Sequence, residues 1–303
     1  MSRVYVFKDY GGPETEALLD RPIPQPGRGE ILVEVKAAGV NPVDWKIREG
    51  QLGRSPNRAL PAPMGREVAG VVAAIGTDVE EFRVDDEVLG PVAPGQGGFA
   101  DHALLRASDA VTKPAELSFE IAATIAVAGT TAYDLTHAID LEPGATVLVL
   151  GAGGGVGSLA TEIGRVHQFR VIGVASERKR ELIESLGAEF VRSGVGVAET
   201  VRELAPDGVD LIVDLVGGEA LRAVAPLAKS PDHIFSAPDP ETAEELGGSG
   251  RPNDPESLRR ITEVIGYGAI TPRISATYPL AAAREALAYV ESGHATGKVV
   301  IIP

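Results

Sequence analysis

Val147-Leu148-Val149-Leu150 runs directly into Gly151-Ala152-Gly153-Gly154-Gly155-Val156-Gly157, and the reading of this stretch decides the fold. The four apolar residues suit a buried parallel strand, which is apolar on both faces. From Ala152 onward the glycines follow the A-x-G-x-x-G form of the dinucleotide fingerprint, with Gly154 and Gly157 at its second and third glycine positions. Gly154 then lets backbone approach a pyrophosphate, and Gly157 lets a helix pack close to the strand. A helix over about 156–166 turns the free N–H groups at its start, beside Gly155 and Val156, towards phosphate. A merely structural glycine turn is the alternative, and the context counts against it.

A second strand, Arg170-Val171-Ile172-Gly173-Val174-Ala175, follows at the spacing of a βαβ unit, so the residues beyond it should meet an adenosine ribose. They are Ser176-Glu177-Arg178-Lys179. An NAD site places a carboxylate at the strand end, whereas a ribose phosphate needs hydroxyl and cationic donors. Ser176 with Arg178 and Lys179 therefore predicts NADPH. A shift of one residue would make Glu177 the ribose acceptor, and Arg178 to Glu181 also read as the solvated first turn of a helix. That helix should stop at Leu186, with Gly187 as its C-cap.

With 303 residues, 44% of them hydrophobic and 23% charged, the chain has the composition of a globular protein of two domains. Its 28 basic and 43 acidic residues give a net charge of −15, which opposes binding to nucleic acid or anionic membranes. The absence of cysteine excludes disulfides, thiolate metal sites and a cysteine nucleophile. Residues 1–9 lack the apolar core of a signal peptide, and later apolar stretches are broken by Gly or Thr, so the expected location is cytoplasmic.

Short strands separated by Gly/Pro turns dominate the first part: Val4 to Phe7, Ile31 to Ala38, Val68 to Ala74 and Glu87 to Gly90. They predict a partly open β-barrel. From about Ala115 the pattern changes to alternating strands and helices, with strands near 147–150, 171–175, 211–215 and 233–236, which is the doubly wound α/β texture. Residues 237–256, polar and rich in Pro and Gly, read as a long surface loop, and 257–266 as a helix. The last stretch, with strands at 274–278 and 299–302 around a helix over 280–292, should return to the first domain. The expected division is 1–118 with 272–303, and 119–271.

These landmarks resemble the medium-chain dehydrogenase/reductase superfamily, specifically its zinc-free quinone and enone reductases. The likeness rests on Gly39-Val40-Asn41-Pro42-Val43-Asp44-Trp45-Lys46, Gly65-Arg66-Glu67-Val68-Ala69-Gly70, Asp85-Asp86-Glu87-Val88-Leu89-Gly90, Gly97-Gly98-Phe99-Ala100-Asp101, Ala128-Gly129-Thr130-Thr131-Ala132-Tyr133, the glycine loop and Gly297-Lys298-Val299-Val300. It implies a GroES-like barrel joined to a Rossmann domain, a cofactor in the cleft between them, and a homodimer as the usual assembly. The zinc branch needs thiolate and imidazole ligands, but the candidate positions here read Asn41 and Arg66, with Glu67 alone of a ligating type. The five histidines, at 102, 137, 167, 233 and 294, lack metal-ligand spacing, so no metal is expected.

Without a metal to polarise a carbonyl, negative charge must be spread over an enolate or quinol anion and met by hydrogen bonds and cations. The resemblance therefore implies hydride transfer to a quinone or to the β-carbon of an α,β-unsaturated carbonyl. It places Asn41, Asp44 and Lys46 at the nicotinamide end of the site. Pro42 keeps Asn41 extended, and Lys46 is the candidate for stabilising the oxyanion or donating a proton. Many zinc-free relatives have tyrosine there. Trp45 is a candidate for the substrate pocket, Thr131 for the nicotinamide or phosphate, and Ser236 for the nicotinamide. The alternative for 41–49 is a short helix over 44–49, capped by Asn41 and Asp44, with Lys46 and Arg48 on a solvated face. Lys298 reads as either a phosphate ligand or a structural residue. Rival functions are an enoyl-thioester reductase and a non-catalytic NADPH-sensing protein on the same scaffold.

Overall fold

Thr146–Leu150 is a strand with every residue buried, as its uninterrupted apolar run requires. It forms the middle of a six-stranded parallel sheet in the spatial order 189–192, 170–175, 146–150, 211–214, 234–236, 249–250. Numbered along the chain this order is 3-2-1-4-5-6, the doubly wound arrangement, and strand order reverses between Thr146–Leu150 and Leu211–Asp214. Ligands in such sheets bind beyond the carboxyl ends of the strands at that reversal. The helix after the glycine loop is Gly155–Val166, and the core beneath is built from Leu148, Leu150, Ile172, Ile212 and Ile234.

This computed structural model describes residues 1–54 and 58–303, and the chain divides into two compact units. The parallel sheet belongs to Ala128–Arg273; Met1–Val127 and Ile274–Pro303 form the other unit. The first unit therefore runs past the expected boundary at 118. Helix Phe119–Ala122 packs on strands Glu30–Val40 and Glu67–Ile75, and the buried Glu67 carboxylate accepts the Val127 backbone N–H at 2.7 Å.

Strand Glu30–Val40 organises the first unit, pairing antiparallel with Glu67–Ile75, His102–Arg106 and the returning C-terminal strand Lys298–Ile302. Val299–Ile301 meet Val40–Ala38 in that last pairing, which carries Lys298 to the beginning of the segment around Asn41. Phe7, Ile31, Phe99, Leu105 and Ile301 fill the core.

The segment 237–256 is not a plain loop. Asp239 caps a helix, Pro240–Glu245, by accepting the Thr242 N–H at 3.1 Å, with Pro240 at the first helical position, where its missing N–H costs nothing. Ser249–Gly250 then adds a sixth strand to the sheet. The helix read at 257–266 is present as Ser257–Gly266. Among the described residues no helix is long and apolar enough to cross a membrane.

Candidate functional site

The glycine loop differs sharply from one glycine to the next. A Cβ at Gly157 would lie 2.3 Å from the Gly151 carbonyl oxygen and 2.6 Å from Ala152 Cα, so only glycine lets the helix start pack this close to the strand end. A Cβ at Gly154 would meet nothing nearer than the Gly151 oxygen at 3.5 Å. Gly154 thus faces open space at the N-cap of Gly155–Val166, where backbone N–H groups, including those of Gly155 and Val156, favour phosphate. Ala152 is buried behind the loop. These residues fit a dinucleotide.

Beyond Arg170–Ala175 the chain makes a 3-10 turn, Glu177–Lys179, before helix Arg180–Ser185. The Lys179 stem lies across the glycine loop, with its Cδ 2.4 Å from where a Gly153 Cβ would stand. Burial, and then the neighbouring Arg178, lower the Lys179 pKa. Glu177 is ion-paired with Arg180 at 2.6 Å and held below the usual carboxylate range by that hydrogen bond. Arg178 is exposed and Ser176 half-buried. Arg192, which sequence reasoning missed, ends the neighbouring strand opposite Ala175, and its charge reaches Glu177.

At the strand-order reversal, Asp214 is fully buried and accepts the Val216 and Gly217 N–H groups, each at 3.0 Å. Ser236 donates to its other oxygen at 2.5 Å and accepts the Asp239 N–H at 3.1 Å. The Ser236 hydroxyl is therefore engaged in holding two strand ends together. Thr131 sits in helix Thr130–Thr136 and accepts from Arg251 Nη1 at 2.7 Å. The same guanidinium reaches Thr130 at 2.9 Å and the buried Asp134 at 2.7 Å. Arg251 follows the last strand of the sheet, in the stretch read as loop, and no sequence signal singled it out.

In the first unit, Asn41-Pro42-Val43-Asp44 begins helix Pro42–Glu49. Asp44 Oδ2 accepts the Asn41 backbone N–H at 2.8 Å, so the capping alternative describes this turn. Burial pushes the Asp44 carboxyl up to about 7, the Asn41 N–H and the charge of Lys298 pulling the other way. The Asn41 amide donates to Glu67 Oε1 at 2.8 Å, while Lys298 Nζ donates to Glu67 Oε1 at 3.0 Å, to the Val40 carbonyl at 3.2 Å and to the Asn41 amide oxygen. Lys298 is thus structural. An ammonium bonds two of the three positions considered for zinc ligands, Asn41 and Glu67, and the donors there, an amide and one carboxylate, do not fit a catalytic zinc. Among the described residues no group of three or more His, Cys, Asp or Glu could hold a metal.

The same helix carries Trp45, which packs on the first unit's core, and Lys46, whose Nζ lies 5.8 Å from the Trp45 ring centroid. Lys46 is half-buried and makes no ion pair with a described residue. Arg48 departs from the solvated face expected for it. It is fully buried, with Nη1 2.5 Å from the equally buried Glu16 and Nη2 near Glu49 and Glu291. This ion cluster anchors the C-terminal end of the helix; Lys46, one turn before that end, makes no ion pair with a described residue.

Two family models match the chain: an alcohol dehydrogenase GroES-like domain over residues 27–115, and a zinc-binding dehydrogenase over 186–301. The 2-methylene-furan-3-one reductase of Solanum lycopersicum is 31% identical over 315 residues, covering 99% of this chain and 79% of the relative. The quinone oxidoreductase of Lama guanicoe is 31% identical over 328 residues, covering 100% and 98%. A mycobacterial protein solved in complex with NADPH superposes with a TM-score of 0.88 at 28% identity, covering both chains fully, at 100% each.

Proposed function

The chain belongs to the medium-chain dehydrogenase/reductase superfamily, in its quinone and enone oxidoreductase branch, and from that premise we propose an NADPH-dependent, metal-free reductase of quinones or α,β-unsaturated carbonyls. The observation that carries this reading is the pairing of an open glycine cradle with an Asn41–Glu67–Lys298 network that lacks a zinc donor set.

Reduced nicotinamide, when bound, supplies a hydride. The protein's part is to position and to stabilise charge. Gly154, Gly155, Val156 and Gly157 hold the pyrophosphate, and Ser176, Arg178, Lys179 and Arg192 supply donors to a ribose phosphate. Lys46, which makes no ion pair with a described residue, meets the negative charge that develops on the acceptor oxygen and furnishes the proton that completes the product. An enone gains hydride at its β-carbon and a proton at its enolate; a quinone gains hydride and a proton to become a hydroquinone. Asn41 and Asp44 act through the helix they cap, and the Trp45 ring faces the Lys46 ammonium at 5.8 Å. Thr131 is held by Arg251 at the carboxyl edge of the sheet, a suitable support for the nicotinamide end, as is Ser236.

The direct test is NADPH oxidation with a benzoquinone, a short enone and an enoyl thioester. Turnover with either of the first two is expected; turnover with the thioester alone would replace this reading with the enoyl-thioester one. Tight NADPH binding with no turnover would make the chain a sensor. Lys46→Ala should lower kcat about 100-fold with NADPH affinity unchanged, and parental kcat would remove Lys46 from the chemistry. Changing Arg178 and Lys179 together to alanine should weaken NADPH about a hundredfold or more, since each of the two charge-assisted bonds contributes roughly 1.5–3 kcal/mol, while NADH binding changes little. Equal losses for both nucleotides would return the turn to a solvated helix start.

A further inference from the structure

His137 and His167, 30 positions apart in sequence, face each other with their Nε2 atoms 3.1 Å apart. We propose that they form a two-histidine clip for a divalent first-row transition metal on the surface of the nucleotide-binding unit, separate from the residues assigned above to nucleotide and acceptor.

The spacing suits chelation. At a metal–nitrogen bond of about 2.0–2.1 Å, two nitrogens 3.1 Å apart subtend about 100° at the ion, between the tetrahedral angle and a square-planar cis angle. The ring orientations are fixed. His137 Nδ1–H donates to the Tyr133 carbonyl at 2.9 Å, which leaves the Nε2 lone pair outward, and a backbone carbonyl behind the far nitrogen is how ligating histidines are usually oriented. Tyr133 stacks on the His137 ring with centroids 3.9 Å apart, and Phe169 stacks on His167 at 5.4 Å. In the metal-free pair one Nε2–H donates to the other Nε2. Binding requires only that His167 carry its proton on Nδ1, so both neutral rings present Nε2 with no net proton release.

The surroundings favour a cation. His137 closes helix Thr130–Thr136 and His167 closes helix Gly155–Val166, so two packed helices turn their C-terminal, partially negative ends to the pair. Arg260 opposes this, but it is paired with Asp254 at 3.2 Å. The nearby Asp134 is committed to Arg251 and Ser257, so solvent completes the shell. Both histidines are exposed, which gives an ion its path. Copper(II) should bind most tightly of the series.

Full-length protein stripped with EDTA is titrated with Cu²⁺ alone. The clip predicts one ion per chain with an electron paramagnetic resonance signal split by two imidazole nitrogens. His137→Gln and His167→Gln should each weaken binding at least tenfold and abolish the two-nitrogen pattern, whereas His294→Gln leaves both intact. Independently of any variant, substoichiometric Cu²⁺ should broaden the NMR ring signals of two histidines and spare those of His102, His233 and His294. A one-nitrogen signal in the parent, Gln variants that bind as the parent does, or broadening spread over all five rings would overturn the proposal.

Discussion

Changing Lys298 to methionine should cost about 3–5 kcal/mol of folding stability, because it removes one partner of a buried ion pair and leaves the other uncompensated. Glu67 is fully buried and Lys298 nearly so, with the ammonium 3.0 Å from Glu67 Oε1. Without it, Glu67 keeps the Asn41 amide and the Val127 N–H but no ammonium, and the Val40 carbonyl and Asn41 amide oxygen lose the Lys298 donor. Adding Glu67→Gln should recover most of the loss. A glutamine oxygen still accepts from Val127, and no charge then remains to be solvated. The readout is the denaturant midpoint of the single and double variants. A loss below about 1 kcal/mol for Lys298→Met would mean that water reaches Glu67 and that the pair behaves as a surface one.

That network could not be read from the sequence, although its members could. Asn41 and Lys298 stand 257 positions apart, and only the return of the C-terminal strand onto Glu30–Val40 brings them together. Periodicity and punctuation report on neighbours along the chain. They gave four strands of the parallel sheet, because each of those is a short apolar run and the glycine loop fixes which one comes first; Glu189–Arg192 and Ser249–Gly250, which are not apolar runs, join it only through pairing with their neighbours. They gave helix Ser257–Gly266 for the same local reason. They failed at 237–256, where Pro240 and Gly247 look like loop residues while Asp239 caps a helix that begins with that proline. Arg48 failed differently: a charge on a short helix reads as solvated until Glu16, 32 positions earlier, is found buried against it. Arg251 with Thr131, and His137 with His167, are likewise products of packing between distant segments.

Where local reading and structure agree most closely, at the glycine loop, a pair of single changes separates folding from binding. Gly157→Ala places a methyl carbon 2.3 Å from the Gly151 oxygen and 2.6 Å from Ala152 Cα. Neither is a flexible side-chain end that could yield, so the helix start must move away from the strand. A stability loss of roughly 1–3 kcal/mol is expected, together with weaker nucleotide binding. Gly154→Ala should do the opposite of a packing change. Gly154 has φ −93° and ψ 179°, a conformation open to any residue, and its Cβ would meet only the Gly151 oxygen at 3.5 Å. Stability should stay within about 0.5 kcal/mol of the parent. The new methyl, however, fills the space at the helix N-cap that a pyrophosphate must enter, so NADPH affinity should fall about a thousandfold, roughly 4 kcal/mol. Calorimetric titration beside thermal melts distinguishes the two. Parental NADPH affinity in Gly154→Ala would mean that phosphate is not held at this helix start, and the fingerprint would then be a packing device alone.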